Sequence, residues 1–235
     1  MVPLETPQGQ QFVANIADAA LPRVCTAAEV FEAQLEPTWC GLASIATALR
    51  LLSSLEPSCL SRAITSSANQ ESLFLQESTI RGGTHRSSRQ LAAGLSLAEG
   101  ERLLSVVLRN EVSVSVRRQS ASDVDIFGLT LADDLERMAS SASNEVLLVN
   151  VLRLVKGSWT GHWMVIAASV KVPGGDGLWA LALDPAAHKL GPHWLPIDLL
   201  AATMCTRNYR DEPRGYLCVT ASPPPIVGEE IMTMV

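Results

Sequence analysis

The spacing of apolar residues changes character near residue 145. Before that point apolar side chains recur at helical spacing, as in the series Leu42, Ile45, Leu49 and Leu52. After it come short runs rich in β-branched and aromatic residues, VLLVNVLRLV, HWMVIAASV and LWALALD, which are separated by KGSWTG and KVPGGDG. The pattern predicts an α+β fold, with a helical lobe over about 1–140 and an antiparallel β lobe over about 145–222. We expect an active-site cleft where the two lobes meet.

Length and composition are consistent with one domain that covers about 1–222. At 235 residues and 47% hydrophobic content the chain can bury a full core. Small polar residues at 119–125 and 140–144 are typical of connectors, and the Pro-rich tail over 223–235 is expected to fray. No segment reaches the roughly 18 uninterrupted apolar residues that a membrane helix needs.

Charge and cysteine usage argue against several classes of protein. A formal net charge of -6 and a pI near 5.2 give no basic footprint for nucleic acid, and no Lys/Arg run indicates a membrane surface. The five cysteines form an odd set without a CxxC pair, which favours neither a zinc site nor a disulfide framework. We therefore predict a cytoplasmic protein and assign no residue as a metal ligand.

One cysteine stands in an informative context. In EPTWCGLASIATALRLL, Cys40 follows a Pro-containing turn and begins a predicted helix. The free amides and the dipole at a helix amino end favour a thiolate, and the small Gly41 would let a substrate approach the sulfur. An isolated cysteine before an apolar helix is more often a small buried hydrophobe, so this context alone leaves both interpretations open.

Three further residues could complete a catalytic group around Cys40. Gln34, six positions upstream, could donate with the Cys40 amide to an oxyanion. His162 follows Gly161 at the start of one predicted strand, and Asp184 closes the next, where its carboxylate could fix the histidine tautomer. Each residue taken singly has an ordinary structural explanation, but the order Cys, His, Asp favours a thiol enzyme.

Several blocks of the chain resemble the phytochelatin synthases. LETPQGQQF is similar to the family's L-x-S-P-E-G-Q start, and QLEPTWCGLAS resembles its nucleophile block Q-S-E-P-A-Y-C-G-L-A-S. VNVLRLVKGSWTGH, LALDPAAHKLGPHWLPIDLLAATM and the closing Arg214, Gly215 and Tyr216 are similar to later family blocks. The resemblance covers nearly the whole chain, although the stretch over about 66–144 matches poorly.

The resemblance implies a papain-like fold with Cys40 as nucleophile, Gln34 in the oxyanion hole, His162 as base and Asp184 as its orienting group. Enzymes of this family cleave glycine from glutathione through a γ-glutamylcysteinyl thioester, and they transfer the acyl unit to a second glutathione to make metal-chelating phytochelatins. No redox or organic cofactor is implied. Ions such as Cd(II) or Zn(II) are expected as activators on substrate thiolates, in line with a role in cadmium detoxification. The implied partners are glutathione and its metal complexes, with a homodimer left open.

Departures from the family pattern bear on substrate binding. Ala187 stands where the family usually has arginine, so an anion-recognising guanidinium is missing. Arg153 and Lys189 are the candidate substitutes, and Trp163 changes the expected wall of the acyl pocket. The predicted substrate-binding residues are Gly41, Gly161, Trp163, Arg153 and Lys189.

Two alternatives to the transferase remain at this point. The chain resembles short single-domain family members, several of which chiefly hydrolyse glutathione, so a hydrolase of glutathione or of its S-conjugates is the first. A noncatalytic module that binds metals or thiols, with a relict triad, is the second.

Overall fold

The computed structural model describes residues 1–16, 20–80, 94–109, 111, 114–120, 123–139, 143–155, 158–172 and 177–221. The helices are α1 (Pro7–Ala14), α2 (Leu21–Val30), α3 (Cys40–Leu55), α4 (Arg62–Ser67), α5 (Gln70–Ile80), α6 (Leu97–Val107), α7 (Val124–Met138) and α8 (Ile197–Met204). The strands are β1 (Val2–Pro3), β2 (Val114–Ser120), β3 (Glu145–Val155), β4 (Ser158–Lys171), β5 (Leu178–Leu183), β6 (His193–Pro196) and β7 (Gly215–Ala221). The predicted α+β class is confirmed. The predicted tail and the polar segment around His85 lie outside the described residues.

The strands form one antiparallel sheet in the order β1-β6-β5-β4-β3-β7-β2. The β3–β4 hairpin is its centre, and it pairs Val151 with His162. The sheet takes β1 and β2 from the part of the chain that was predicted to be helical, whereas α8 comes from the part predicted to be β. The two kinds of structure are therefore not strictly separated along the chain.

Period-two alternation gives the sheet two apolar faces. On β3, Val146 and Leu148 join the core formed with α2, α3, α5 and α6, whereas Leu147 and Val149 join a second core formed with α7 and α8. The helix α8 carries apolar residues at helical spacing, with Ile197, Leu200, Ala201 and Met204 all buried. Helices thus cover both faces of the sheet.

The central helix α3 positions the predicted nucleophile. Twelve of its 16 residues are buried, because apolar and small side chains surround almost its whole circumference. The helix begins at Cys40, and its N-cap residue Trp39 makes no side-chain capping bond to the first-turn amides. Trp39 stacks on Phe74 with ring centroids 4.9 Å apart, which fixes the turn that leads into the helix.

None of the helices in the described part of the chain combines the length and the apolar character that crossing a bilayer requires.

Candidate active site

The structure brings Cys40, His162 and Asp184 together. Cys40 opens α3, His162 lies on β4, and Asp184 directly follows β5, the antiparallel neighbour of β4. The His162 Nε2 atom lies 2.6 Å from Asp184 Oδ1, and the Cys40 thiol is hydrogen-bonded to the same ring. Because Nε2 faces the carboxylate, Nδ1 is the ring nitrogen left for the sulfur. A proton can therefore pass between the thiol and an imidazole whose tautomer Asp184 fixes.

The surroundings of Cys40 favour its thiolate. Burial raises the pKa of the thiol, but the hydrogen bond and charge of His162, together with the backbone amides of Trp163 and Gly41, outweigh burial and lower that pKa below its ordinary value. Cys59 is a contrasting case, in which burial has the largest effect on the pKa. Its burial and the nearby Glu56 carboxylate raise the pKa of that thiol to about 11. None of the five cysteines, all of which lie within the described ranges, forms a disulfide bond, so the difference between these two thiols comes from their surroundings.

The carboxylate of Asp184 is held from three sides. Burial raises its pKa, but the His162 hydrogen bond and charge, the Arg153 charge and the Ala186 amide at 2.8 Å lower that pKa overall. Arg153 Nη2 donates to Asp184 Oδ2. In turn burial lowers the pKa of His162, while Asp184 and Cys40 raise it to a net value above the ordinary one. The geometry therefore supports a thiolate and imidazolium pair above an ionised aspartate.

Gln34 lies on the non-helical segment between α2 and α3, at the rim of the site. Its Nε2 donates to the Glu36 carbonyl at 2.9 Å, and its backbone N–H donates to the Pro185 carbonyl at 2.8 Å, next to Asp184. An amide nitrogen carries two hydrogens, so one N–H remains for an oxyanion near Cys40.

Sequence reasoning missed the residue that holds this segment in place. Gln70 at the start of α5 is fully buried, and its side-chain Oε1 accepts from the Leu35 N–H at 2.9 Å. Its Nε2 donates to the Ala33 carbonyl at 2.9 Å and also to the Glu32 side chain. These bonds hold the backbone of the residues immediately before and after Gln34. An isolated glutamine gives no sequence signal for such a role.

Two openings share Cys40 in their linings. The larger one, the Cys40 cleft, has a volume of about 360 Å³. Its lining includes Gln34, Thr38, Cys40, His162, Lys189 and Arg214. The inner cavity is smaller, about 40 Å³. Its lining includes Cys40, Ser96, Glu99, Trp163, Arg210 and Arg214. The larger opening falls in the usual range for small-molecule sites.

The five predicted substrate-binding residues have different surroundings. Lys189 is exposed on the wall of the Cys40 cleft, and Arg153 lines the same cleft but is bound to Asp184. Trp163 is buried, donates from Nε1 to the Leu95 carbonyl at 2.8 Å and lines the inner cavity. A Cβ atom at Gly41 would lie 2.9 Å from Leu95 Cδ1, so close packing against Leu95 favours glycine at this position.

Gly161 makes room for a buried arginine that the sequence analysis did not select. A Cβ atom at Gly161 would lie 2.5 Å from Arg214 Nη1. Arg214 lines both openings and is only 4% exposed. Its Nη1 donates to Asn150 Oδ1 at 3.1 Å, and its Nε has no hydrogen-bond partner in the described structure. The family-like closing Arg-Gly-Tyr block was the signal that could have identified it.

Two other histidines lie near the site and could in principle serve as the base. His193 is buried, and its Nδ1 lies 2.8 Å from the Gly191 carbonyl. Burial lowers its pKa below the ordinary value. His188 is exposed on the wall of the Cys40 cleft. His162, by contrast, is hydrogen-bonded to both Cys40 and Asp184.

Within the ranges that the structure describes, no three His, Cys, Asp or Glu side chains come together in a way that could hold a metal ion.

No curated protein matches the chain. A family comparison matches residues 1–216 of the chain to the family described as Phytochelatin synthase. The chain therefore belongs to the phytochelatin synthase family and is an enzyme of the glutathione γ-glutamylcysteinyltransferase class.

Proposed function

We propose that this enzyme cleaves glycine from glutathione through a γ-glutamylcysteinyl thioester on Cys40, and that it transfers the acyl unit to a second glutathione. The product would be a phytochelatin that binds heavy-metal ions. The observation that carries the proposal is the chain of contacts from Cys40 through His162 to Asp184, beside a cleft whose lining includes a buried arginine that forms no ion pair among the described residues.

The first half-reaction forms the thioester. The Cys40 thiolate attacks the carbonyl carbon of the Cys–Gly peptide bond of glutathione, and a new S–C bond forms. The Cys40 backbone N–H and the second N–H of Gln34 Nε2 stabilise the oxyanion. His162 Nδ1 then gives its proton to the glycine nitrogen, the C–N bond breaks and glycine leaves.

The second half-reaction uses His162 as a base. The α-amino nitrogen of the acceptor glutathione loses a proton to His162 Nδ1 and attacks the thioester. A C–N bond forms, the S–C bond breaks, and the Cys40 thiolate is restored. Cd(II) or Zn(II) would enter as part of a metal–glutathione acceptor, because soft thiolates of the substrate are good ligands for such ions.

Arg214 is the residue best suited to bind the donor. Burial lowers the pKa of this guanidinium, and the charge of the Cys40 thiolate partly offsets that effect. None of the ion pairs among the described residues includes it. A buried cation that forms no ion pair with a carboxylate of the described residues favours an anionic ligand, so we assign it to the α-carboxylate of the γ-glutamyl group.

Hydrolysis of the thioester is the second candidate function, and one observation favours it. Arg153, the expected substitute for the guanidinium absent at Ala187, is already bound to Asp184. That leaves the exposed Lys189 as the cation on the acceptor side among the described residues of the cleft lining. Water then competes with a loosely held acceptor, and γ-glutamylcysteine is the product.

One incubation separates these functions. The purified protein is mixed with glutathione, with and without Cd(II), and the thiol products are identified by mass spectrometry. Phytochelatins support the transferase, and γ-glutamylcysteine with glycine supports the hydrolase. Unchanged glutathione under all conditions would overturn both proposals and revive the noncatalytic alternative.

A further inference from the structure

Asn150 is a buried residue to which the reaction described above gives no role. It lies on β3, is 2% exposed, and pairs across the sheet with Trp163 on β4 and with Gly215 on β7. Its side-chain Oδ1 accepts from Arg214 Nη1 at 3.1 Å. The hydrogen-bonding partner of the buried guanidinium is therefore a neutral amide.

The chemistry of this partner is notable because a carboxylate would fit the same position. Aspartate has nearly the shape of asparagine and would form a stronger, charge-assisted bond to Arg214. It would also cancel the positive charge beside Cys40. An amide holds the guanidinium in place and leaves its charge for a ligand.

We propose that Asn150 is a positioning residue that determines donor specificity: its neutral side chain orients Arg214 and keeps the arginine charge available for the substrate carboxylate. This inference rests on the proposed role of Arg214 in glutathione binding. Gly161 contributes to the same arrangement, since its missing Cβ leaves the space in which the guanidinium lies.

The test compares two substrates. One is glutathione, and the other is 4-aminobutanoyl-cysteinyl-glycine, which lacks only the α-carboxylate. Glycine release is measured as kcat/KM for each substrate, and the ratio of the two values is the carboxylate preference. A charge-assisted contact should give the wild type a preference of roughly 10- to 100-fold.

The key variants are Asn150→Asp and Asn150→Leu. Asn150→Asp keeps the hydrogen bond to Arg214, but its carboxylate neutralises the charge of the guanidinium. The carboxylate preference should therefore fall by about 10-fold or more. Asn150→Leu removes the hydrogen bond but keeps the charge, so its preference should fall by less. If Asn150 only held Arg214 in place, the order would be reversed, with the aspartate variant close to wild type and the leucine variant impaired.

Two controls make each outcome decisive. Asn15→Asp adds the same charge at the exposed end of α1 and should leave the preference unchanged. In an Arg214→Met background, Asn150→Asp should no longer change the preference, because it would act through an arginine that is gone. If Asn150→Asp does not fold, complete loss of preference in Asn150→Leu would overturn the inference, and a partly retained preference would support it.

Failure of the inference can be told apart from failure of the proposed function. A wild type that releases no glycine from glutathione would overturn the proposed function. A wild type that releases glycine and prefers the carboxylate, together with an Asn150→Asp variant of equal preference, would overturn only the role of Asn150.

Discussion

The two sides of the Cys40 sulfur are built differently. On the inner side, a cavity of about 40 Å³ is lined by the buried Arg214 and Trp163, which are held by hydrogen bonds to Asn150 and to the Leu95 carbonyl, and by the exposed Tyr209 and Arg210. On the outer side, the cleft of about 360 Å³ is bordered by the exposed residues His188 and Lys189. Buried, hydrogen-bonded side chains hold a geometry closely, whereas exposed side chains do not. We therefore expect acylation to be precise and the choice of acceptor to be loosely specified.

The largest effect is expected at Cys40, the proposed nucleophile, which lines both openings. Cys40→Ser should remove turnover while the fold remains intact, because a serine hydroxyl is far less ionised than this thiol near neutral pH. Thermal unfolding should be close to that of the wild type. Measurable glycine release by a folded Cys40→Ser variant would show that the nucleophile lies elsewhere.

The same site makes a prediction about pH. The pKa of Cys40 is lowered mainly by His162, so iodoacetamide should modify Cys40 rapidly at pH values below the ordinary thiol pKa of about 8.5. In His162→Ala this contribution is lost, so rapid modification should begin only at higher pH. Cys59 should react more slowly than Cys40, since its pKa is about 11. Peptide mapping after short labelling times measures the modification rates of both cysteines. Earlier labelling of Cys59 than of Cys40 would contradict the assignment of Cys40 as the nucleophile.

The next largest effect is expected at Asp184. Asp184→Asn keeps the shape but removes the charge that stabilises the imidazolium, and in catalytic triads the equivalent change lowers the rate by about 10²- to 10⁴-fold. The pKa of His162 should fall, and the pKa of Cys40 should rise. In the bell-shaped profile of kcat/KM against pH, the acid limb should therefore move to higher pH and the basic limb to lower pH. An unchanged profile would mean that Asp184 is not the group that sets these pKa values.

Much of this site could be predicted from local sequence context. The sequence placed Cys40 at the start of an apolar helix, His162 at the start of one β run and Asp184 at the end of the next. The structure has Cys40 first in α3 and Asp184 directly after β5, but β4 begins at Ser158, four residues before His162. The α+β class followed from the change of apolar period. These features can be predicted from the sequence because they depend on residues that are close together along the chain.

The remaining features depend on contacts between distant segments. Asn150 and Arg214 are 64 positions apart, and Gln70 reaches a segment that lies before α3. The role of Arg153 also changes in the structure, because strand pairing brings it to Asp184, 31 positions away. No periodicity or short motif encodes such pairs, and α7 could not be assigned to a face of the sheet for the same reason.

A smaller effect is expected where the core supports the rim of the cleft. Gln70→Leu removes the bonds that bracket Gln34, so the oxyanion donor should be less well placed and glycine release should slow by about 10-fold. The exposed neighbour on α5 offers a control, since Glu71→Gln should leave the rate unchanged. In a Gln34→Ala background, Gln70→Leu should add little further loss. Equal losses in both backgrounds would indicate a general effect on folding and not on the donor.

The smallest effect is expected on the outer side, at Ala187. This exposed residue follows the Ala186 amide that binds Asp184, and it precedes His188 and Lys189 on the wall of the cleft. A guanidinium there could form two parallel hydrogen bonds to an acceptor carboxylate, whereas a lysine ammonium cannot bind in this bidentate way. Ala187→Arg should therefore raise the ratio of transfer to hydrolysis by about 2- to 5-fold while leaving glycine release nearly unchanged.

The control for this last prediction is Ala187→Gln, which adds length without charge and should leave the ratio at the wild-type value. Chromatography of thiol-labelled products at several glutathione concentrations separates acceptor binding from acylation, because only acceptor binding should shift with the second glutathione. Long phytochelatins made efficiently by the wild type, or an unchanged ratio in Ala187→Arg, would show that the outer side already holds its acceptor well. The contrast between a fixed inner side and a loose outer side would then be wrong, since exposure of His188 and Lys189 would not limit acceptor binding.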